Sequence, residues 1–542
     1  MDSPVVIVGR GPVGMTTALL LAHYRVPSVV IDPMPSDKVL PGSKAVLIAG
    51  HVIAITGPIG VGQLIADEGL AWAVSRTFIR GKEVTTTDVS TTQGLLPKIV
   101  NLPQKRVEEL LLERLHAEPL ITLISESEVV DFYETENGVN VSVDTPSGTK
   151  MLMTSWLIGC DGSKSTVRKK LGLIFEGYGH DENFLIVDIK ADLPFPNERH
   201  FHFDPEFNPG RTVLIHPQPD STWHIDWQVG PEIDAEDEKS SGKLDKRIRG
   251  VIGDIDYELY WLTTYQFKQL KARHFRQGRC FLVGDAAHLT SPYGARGMNS
   301  GIADAENLAW RLAMVVRDEA TESLLDGYGI EREYASRENL EITGATARFM
   351  CPRTYRERLV RRATLELARI FPPARRCINS GTFYEAVTYP PAMLDDISES
   401  DTDLPVGSLA PDGLVSSIDP TITRLGQMFR KGFVLLIFPG HDHMRTDRVV
   451  QDVLKKVPFG FMCTAVEVIR GIPSDKGSDR HIQVQDTDGA LHATWVPYAD
   501  LSEGYVYILR PDAYIAARSV LDADMIANVI TSIVKRQTIN NG

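Results

Sequence analysis

Gly9, Gly11 and Gly14 stand at G-x-G-x-x-G spacing directly behind the apolar run Val5-Val6-Ile7-Val8. Each glycine has a steric reason to be there. Gly9 permits a tight strand-to-helix turn, Gly11 lets a pyrophosphate approach the backbone, and Gly14 lets the helix lie close to the strand. The helix N-terminus then offers unpaired N–H groups to phosphate oxygens. A second apolar run, Ser28-Val29-Val30-Ile31, ends at Asp32. A carboxylate at that distance can accept hydrogen bonds from a ribose hydroxyl. The arrangement predicts a dinucleotide site. It leaves NAD, NADP and FAD open, although Asp32 argues against a 2′-phosphate because two negative charges would face each other.

The elements that carry this motif read as α/β. Val5 to Val8 is too short for a helix and fits a buried parallel strand. An apolar run of helical length follows, free of glycine from Met15 and of proline until Pro27. Further on, Gln104 to Leu115 has the pattern of an amphipathic helix. Val129 to Thr135 and Val139 to Val143 read as a hairpin about Glu136-Asn137-Gly138. Ser155 to Cys160 and Arg279 to Val283 read as buried strands. From about Phe184 to Phe267 short alternating segments suggest an antiparallel sheet. In Trp223 to Gln228, alternation puts His224, Asp226 and Gln228 on one face and Trp223, Ile225 and Trp227 on the other. A long helix is expected from near Met298. Pro372-Pro373, Pro390-Pro391 and an acidic stretch mark a linker, after which strands and helices alternate again.

Bulk properties set the outer limits. At 542 residues the chain exceeds one core. Its formal charge of −14 argues against nucleic acid and anionic membranes as partners. Five scattered cysteines without a C-x-x-C predict a reducing, cytoplasmic setting and no metal site. The first strand begins within a few residues, so no signal peptide is expected, and no apolar run is long enough for a membrane span.

Two further motifs join the first. Cys160-Asp161-Gly162-Ser163-Lys164-Ser165-Thr166-Val167-Arg168 is one. The other is Phe281-Leu282-Val283-Gly284-Asp285-Ala286-Ala287-His288, with the glycine-rich loop Ser291 to Gly301 behind it. In this order they resemble the class A flavoprotein aromatic hydroxylases, the para-hydroxybenzoate hydroxylase superfamily. The C-terminal segments Gly407 to Pro411 and Leu509 to Arg518 are similar, more loosely, to the thioredoxin-like extension of its phenol and hydroxyphenylpropionate hydroxylase branch.

The resemblance implies a Rossmann-type FAD-binding domain (1–178 and 269–395) with an interleaved antiparallel-sheet substrate domain (179–268). A thioredoxin-like α/β domain (396–542) follows. It implies FAD at Gly9, Gly11, Pro12, Val13, Gly14 and Asp32, with Lys44, Gln104 and Val129 beside it. Asp161 would serve FAD and the pyridine nucleotide, Asp285 the ribityl chain, and Gly294, Gly297, Met298 and Asn299 the pyrimidine edge. Lys44 replaces the usual arginine. Ala295 replaces a second glycine, which leaves the loop conformation open there. Implied co-substrates are NADPH or NADH and O2, with oxygen passing from a flavin hydroperoxide to a small aromatic substrate. His216, Gln218, His224, Asp226 and Pro292 are the pocket candidates, and a histidine there can deprotonate a phenol. No acid or base catalyst is singled out. Epoxidation, Baeyer–Villiger oxidation or an NAD-dependent dehydrogenase remain alternatives. Trp223 to Trp227 does not fit a halogenase W-x-W-x-I-P. The C-terminal part is expected to lack thiol chemistry and to bury flavin-domain surface or support a homodimer. His441 and His443 read as solvated.

Overall fold

The computed structural model describes residues 4–39, 42, 45–352, 354–378, 382–393, 404–457, 463–475, 478–496 and 504–535. Lys44, the acidic stretch 395–403 and the side chain of His443 lie outside them.

Val5–Val8 forms the middle of a six-stranded sheet. It pairs in parallel with Ser28–Ile31 on one side and Leu157–Gly159 on the other. Cys280–Leu282 continues the sheet beyond Leu157–Gly159, and Ile121–Ile124 extends the opposite side. All four residues of the central strand are buried, which is why its sequence is continuously apolar rather than alternating. The helix Pro12–His23 is the crossover. Because strands from both ends of the first 282 residues meet in this sheet, the three sequence motifs end up along one edge of it.

The second sheet has eight strands. Its centre is Phe175–Lys190 flanked by Thr222–Val229 and Glu258–Ala272, all antiparallel. It reaches outside 179–268. Val74–Ile79 and Lys82–Asp88 add two strands at one edge, and His288–Leu289 closes the other. The Arg199–Phe203 and Val74–Ile79 pair is parallel, a departure from the expected antiparallel pattern. One face carries Trp223, Ile225, Trp227 and Val229 against Leu244, Ile248 and Ile252 of a surface helix. The opposite face carries Phe184, Phe201 and Phe203 against Ala347, Met350, Leu365 and Ala368.

The third sheet, from the C-terminal part, has six strands. Phe433–Phe438, the helix His443–Lys456 and Cys463–Ile469 make a parallel βαβ unit. Tyr505–Leu509 and Ile515–Val520 make an antiparallel hairpin that pairs with Phe433–Phe438, followed by the helix Ala523–Val534. Phe433, Leu435 and Ile437 join the same apolar core as the first sheet. Within the C-terminal part, Asp447, Glu467 and His481 bring ligand-type atoms within 4.8 Å of one another, a grouping that sequence spacing did not reveal.

A buried ionic cluster ties this part to the rest. The turn after Tyr505–Leu509 sends Arg510 against the helix Asp326–Met350, where it donates to both oxygens of Glu331 at 2.8 and 2.9 Å. Arg311 reaches the same carboxylate at 2.6 Å, and Asn307 donates to it at 2.8 Å. Asp512 accepts from Arg510 at 2.6 Å and from the indole of Trp310 at 3.1 Å. Burial alone would raise the Glu331 pKa, but Arg311 and Arg510 outweigh it and hold it at about 2.

Removing this charge leaves two buried guanidinium groups without their shared carboxylate. Glu331→Gln is therefore predicted to cost about 3–5 kcal/mol, read by denaturant unfolding of the full chain. The folded-state pKa lies below the unfolded value of about 4.3. The difference between wild type and variant should thus be full above that pH and vanish as pH falls through about 2. A loss below about 1 kcal/mol at neutral pH would show that the cluster is not what joins the parts.

Candidate active site

Gly9 sits at φ +101°, and a Cβ there would lie 2.5 Å from the Cys160 carbonyl oxygen. A Cβ on Gly14 would lie 2.0 Å from the Gly9 carbonyl oxygen. Gly11 is different, because its Cβ would meet nothing within 4 Å. Gly11 is also the N-cap of Pro12–His23, with no side chain capping the helix. This end is thus an open cradle whose N–H groups face outward, which suits a pyrophosphate. Val13 packs under both Gly284 and Gly301, whose Cβ positions would lie 3.1 and 2.7 Å from its methyl groups.

Asp32 ends the second strand as expected. Its carboxylate accepts the Arg10 N–H at 2.7 Å and the Met34 N–H at 2.9 Å. Each oxygen keeps a lone pair for a ribose hydroxyl. Val129 lies near this end, but its side chain is in the apolar core, so only its backbone can face a cofactor. Gln104 opens its helix, donating its N–H to Ala45 at 3.0 Å and its side-chain amide to Glu108 at 2.7 Å.

The second and third motifs interlock. Asp161 accepts the N–H groups of Thr166 and Val167 at 2.7 and 3.0 Å, leaving its other oxygen buried without a partner. Arg168 stacks over Phe175 at 3.6 Å and donates to the Ala286 carbonyl at 3.1 Å. It thereby holds the Gly284–Ala286 turn, from which Asp285 projects to solvent. Asp304, which sequence reasoning missed, supports the same turn from behind. It is fully buried and accepts from Gly284 N–H at 3.1 Å, His288 Nε2 at 2.7 Å and Arg332 Nε at 2.6 Å. Burial pushes its pKa up, but Arg332 and His288 hold it below the usual carboxylate range.

The loop that follows is set by two left-handed residues. Gly294 has φ +86°, and a Cβ there would lie 2.1 Å from the Thr382 carbonyl. Ala295, where the loop conformation was open, adopts φ 55°, ψ 45° and caps the helix Arg296–Val316. The helix thus begins at Arg296 rather than near Met298, because Arg296 is anchored to Asn339 at 2.6 Å and to Thr382 at 3.1 Å. Pro292 accepts the Ala295 N–H at 2.9 Å and shapes the turn. Met298 is buried and Gly297 half-buried. The Asn299 side chain is committed to protein: it donates to Leu47 and Ala295 and accepts from Ala49 at 2.9 Å. It positions the loop and leaves its backbone for a cofactor.

The inner face of the eight-stranded sheet meets this loop. His216 and His224 lie opposite each other, as do His224 and Asp188. His224 Nδ1 is 2.6 Å from Asp188, and Nε2 is 3.1 Å from Asp226. Burial disfavours the imidazolium, but Asp226 and Asp188 outweigh it and raise the pKa to about 10. Gln218 donates to Asp188 at 3.2 Å. Gln228 is spent on Thr212 and Cys351. His216 is buried, and burial together with the Arg199 and His224 charges holds its pKa well below the ordinary value. It is a neutral imidazole at pH 7, so the expected phenol-deprotonating base is weak. Between this face and the loop stand Trp72, 6.5 Å from His216, and Phe383, 5.5 Å from Trp72. Both rings cluster with Ala295. The structure thus brings His216, Asp226 and the Ala295 loop to one place.

Gly11→Ala and Gly14→Ala separate the roles of the glycines. Gly11→Ala should change the melting temperature of the cofactor-free chain little, while FAD affinity falls at least about tenfold because the methyl fills the cradle. Gly14→Ala should lower both, since its methyl strikes the Gly9 carbonyl. Unchanged FAD titration in Gly11→Ala would show that the phosphates bind elsewhere.

The chain is 27% identical to pentachlorophenol 4-monooxygenase of Sphingobium chlorophenolicum over 99% of its length and 97% of the relative's. It is 25% identical to the 3-(3-hydroxy-phenyl)propionate/3-hydroxycinnamic acid hydroxylase of Escherichia coli O81 (strain ED1a), covering 95% and 92% of the two chains. Its fold is shared with the flavin-dependent monooxygenase PieE, solved with FAD and substrate, at a TM-score of 0.78, 21% identity and 98% and 99% coverage. The model of the FAD binding domain family matches residues 2–343. With its glycine cradle, its Asp32 carboxylate and the interlocked Asp161 and Gly284 turns inside that span, the chain belongs to the FAD binding domain family.

Proposed function

We propose that this chain is an FAD-dependent, NAD(P)H-consuming monooxygenase that hydroxylates a phenolic ring. The observation that carries the reading is the meeting of two surfaces. One is the loop and helix end at Ala295–Met298, where no side chain caps the helix, which suits a flavin. The other is the buried polar face bearing His216 and Asp226, with Trp72 and Phe383 between them. Bound FAD supplies hydride acceptance from a pyridine nucleotide and activation of O2.

The protein binds, orients and excludes water. Gly11 to Gly14 hold the phosphates, Asp32 the adenosine ribose and Asp285 the ribityl hydroxyls. No side chain caps the helix that begins at Arg296, so its N-terminal N–H groups and partial positive charge favour negative charge on the flavin ring. Trp72 and Phe383 flank the substrate ring and keep the site apolar. His216, neutral at pH 7, donates to or accepts from a substrate oxygen rather than removing its proton. His224 stays charged between its two carboxylates and fixes Asp226 in place.

The C-terminal part is thioredoxin-like in this reading, supported by its βαβ and ββα order about one sheet. Cys463 begins a strand in the core, and burial raises its thiol pKa to about 12. Such a thiol is inert at neutral pH. The role left to this part is to bury the flavin side and hold Glu331.

The direct test is a panel of phenols added to the FAD-loaded enzyme with NADH or NADPH. At least one phenol should stimulate nicotinamide oxidation and be recovered with one added oxygen atom. Cys463→Ser should turn over at the wild-type rate within about twofold. Oxidation never coupled to oxygen insertion would overturn the hydroxylase reading. Lost hydroxylation in Cys463→Ser, with flavin content and melting temperature intact, would overturn the inert-thiol assignment.

A further inference from the structure

On the face that meets the cofactor loop, several buried polar atoms have no hydrogen-bond partner. They are Arg199 Nε, Trp72 Nε1, His216 Nδ1, Gln218 Oε1 and Asp226 Oδ1. The last lies near His224 but off hydrogen-bond geometry. An unsatisfied buried polar atom is destabilising, so native proteins rarely gather several on one surface. Here they fall together, which is how a site appears when the ligand supplies the missing partners.

Arg199 decides what that ligand carries. It begins the strand Arg199–Phe203, and continuing the register past His200 and Ile215 places it opposite His216. Arg199 is 5% exposed. Its side-chain hydrogen bond is to the Ser75 hydroxyl at 3.0 Å, and it makes no ion pair among the described residues. Its guanidinium faces Phe201 at 5.3 Å and Phe383 at 5.1 Å. The two carboxylates of the face, Asp188 and Asp226, are both in contact with His224. Arg199 is therefore the cation of this surface without an anion in contact. Burial lowers its pKa, to about 10, so it remains charged at neutral pH. A buried guanidinium with an open Nε fits an anionic oxygen. The open oxygen of Gln218 and the remaining lone pairs of Asp226, which His224 faces at 3.1 Å, can only accept, so the ligand that fits this face also carries hydroxyl donors.

We propose that Arg199 selects the substrate by holding an ionised oxygen, a carboxylate or an acidic phenolate, on a hydroxylated aromatic ring. Asp226 and Gln218 accept from the ring hydroxyls, and Trp72 with Phe383 confines the ring. This rests on the hydroxylase reading above and narrows it to aromatic acids and acidic phenols.

The test uses the FAD-loaded full chain, as wild type, Arg199→Gln and Arg199→Lys, each checked for flavin content and melting temperature. Dissociation constants are read from the perturbation of the flavin absorbance. The probes are two pairs: 3-hydroxybenzoate with 3-hydroxybenzamide, and 4-nitrophenolate with phenol. Wild type should prefer the anion of at least one pair by about tenfold or more. The pair that shows the preference identifies carboxylate or phenolate as the source. Arg199→Gln should abolish the preference while changing affinity for the neutral partner less than about threefold, and Arg199→Lys should keep part of it. Where a probe turns over, the loss should fall on KM rather than kcat. Equal wild-type affinity for both members of each pair would overturn the proposal. So would an Arg199→Gln loss that is the same for anion and neutral partner. If phenols stimulate nicotinamide oxidation without any anion preference, this inference alone fails. If no aromatic perturbs the flavin or stimulates oxidation, the hydroxylase reading fails, and this inference with it.

Discussion

The buried carboxylate of Asp304 is the contact on which the rest of the structure depends. It is reached by the Gly284 N–H, by His288 and by Arg332. One anion therefore fixes the Gly284–Ala286 turn, the strand His288–Leu289 that closes the eight-stranded sheet, and the helix Asp326–Met350 that covers it. An anion buried this deeply persists only with such compensation. Its neighbour along the same helices, Glu331, repeats the pattern toward the C-terminal part through Arg311 and Arg510. Arg332 also donates to Tyr389, so the two clusters are adjacent and share the helix Asp326–Met350.

This frame explains why the site can be assembled from distant segments. The cradle at Gly11 and the turn at Gly284 belong to one sheet, while His216, Asp226 and Arg199 belong to another. The junction is made by Asn299, which ties the Ala295 loop to Leu47–Ala49, and by Trp72, which leads into Val74–Ile79, the strand next to the sheet's edge. On the side facing that junction, several buried polar atoms have no hydrogen-bond partner. The apolar side of the same strands, with Trp223, Ile225 and Trp227, is packed and closed. The contrast along one strand, Thr222–Val229, separates a packed apolar face from a polar one residue by residue.

Much of the first sheet was legible because its signals are local. Val5 to Val8 reads as a buried strand, and the three glycines and Asp32 act through steric rules within about 30 residues. Alternation in Trp223 to Gln228 correctly sorted the two faces. What stayed hidden depends on long-range contact. Asp304 and Glu331 sit in helices whose sequence gives no hint of a buried anion. Arg168 reads as part of a motif, yet its reach to Ala286 appears only in three dimensions. Val74–Ile79 and Lys82–Asp88 joined a sheet whose other strands lie more than 80 residues on, so no local pattern could assign them. Ala295 is the reverse case. The departure from glycine was visible, but the left-handed conformation it keeps is imposed by Arg296 and its partners.

The central claim is that the crevice at Gly9 to Gly14 holds FAD, with its ring end at the Ala295 loop facing His216 and Asp226. A crystal structure of the chain purified with its native cofactor tests this most directly. The account predicts FAD, with phosphate oxygens at the backbone of Gly11 to Gly14 and the flavin ring bordering Ala295 to Asn299. A nicotinamide dinucleotide in that crevice, or a flavin whose ring lies away from the Arg199, His216 and Asp226 face, would contradict it.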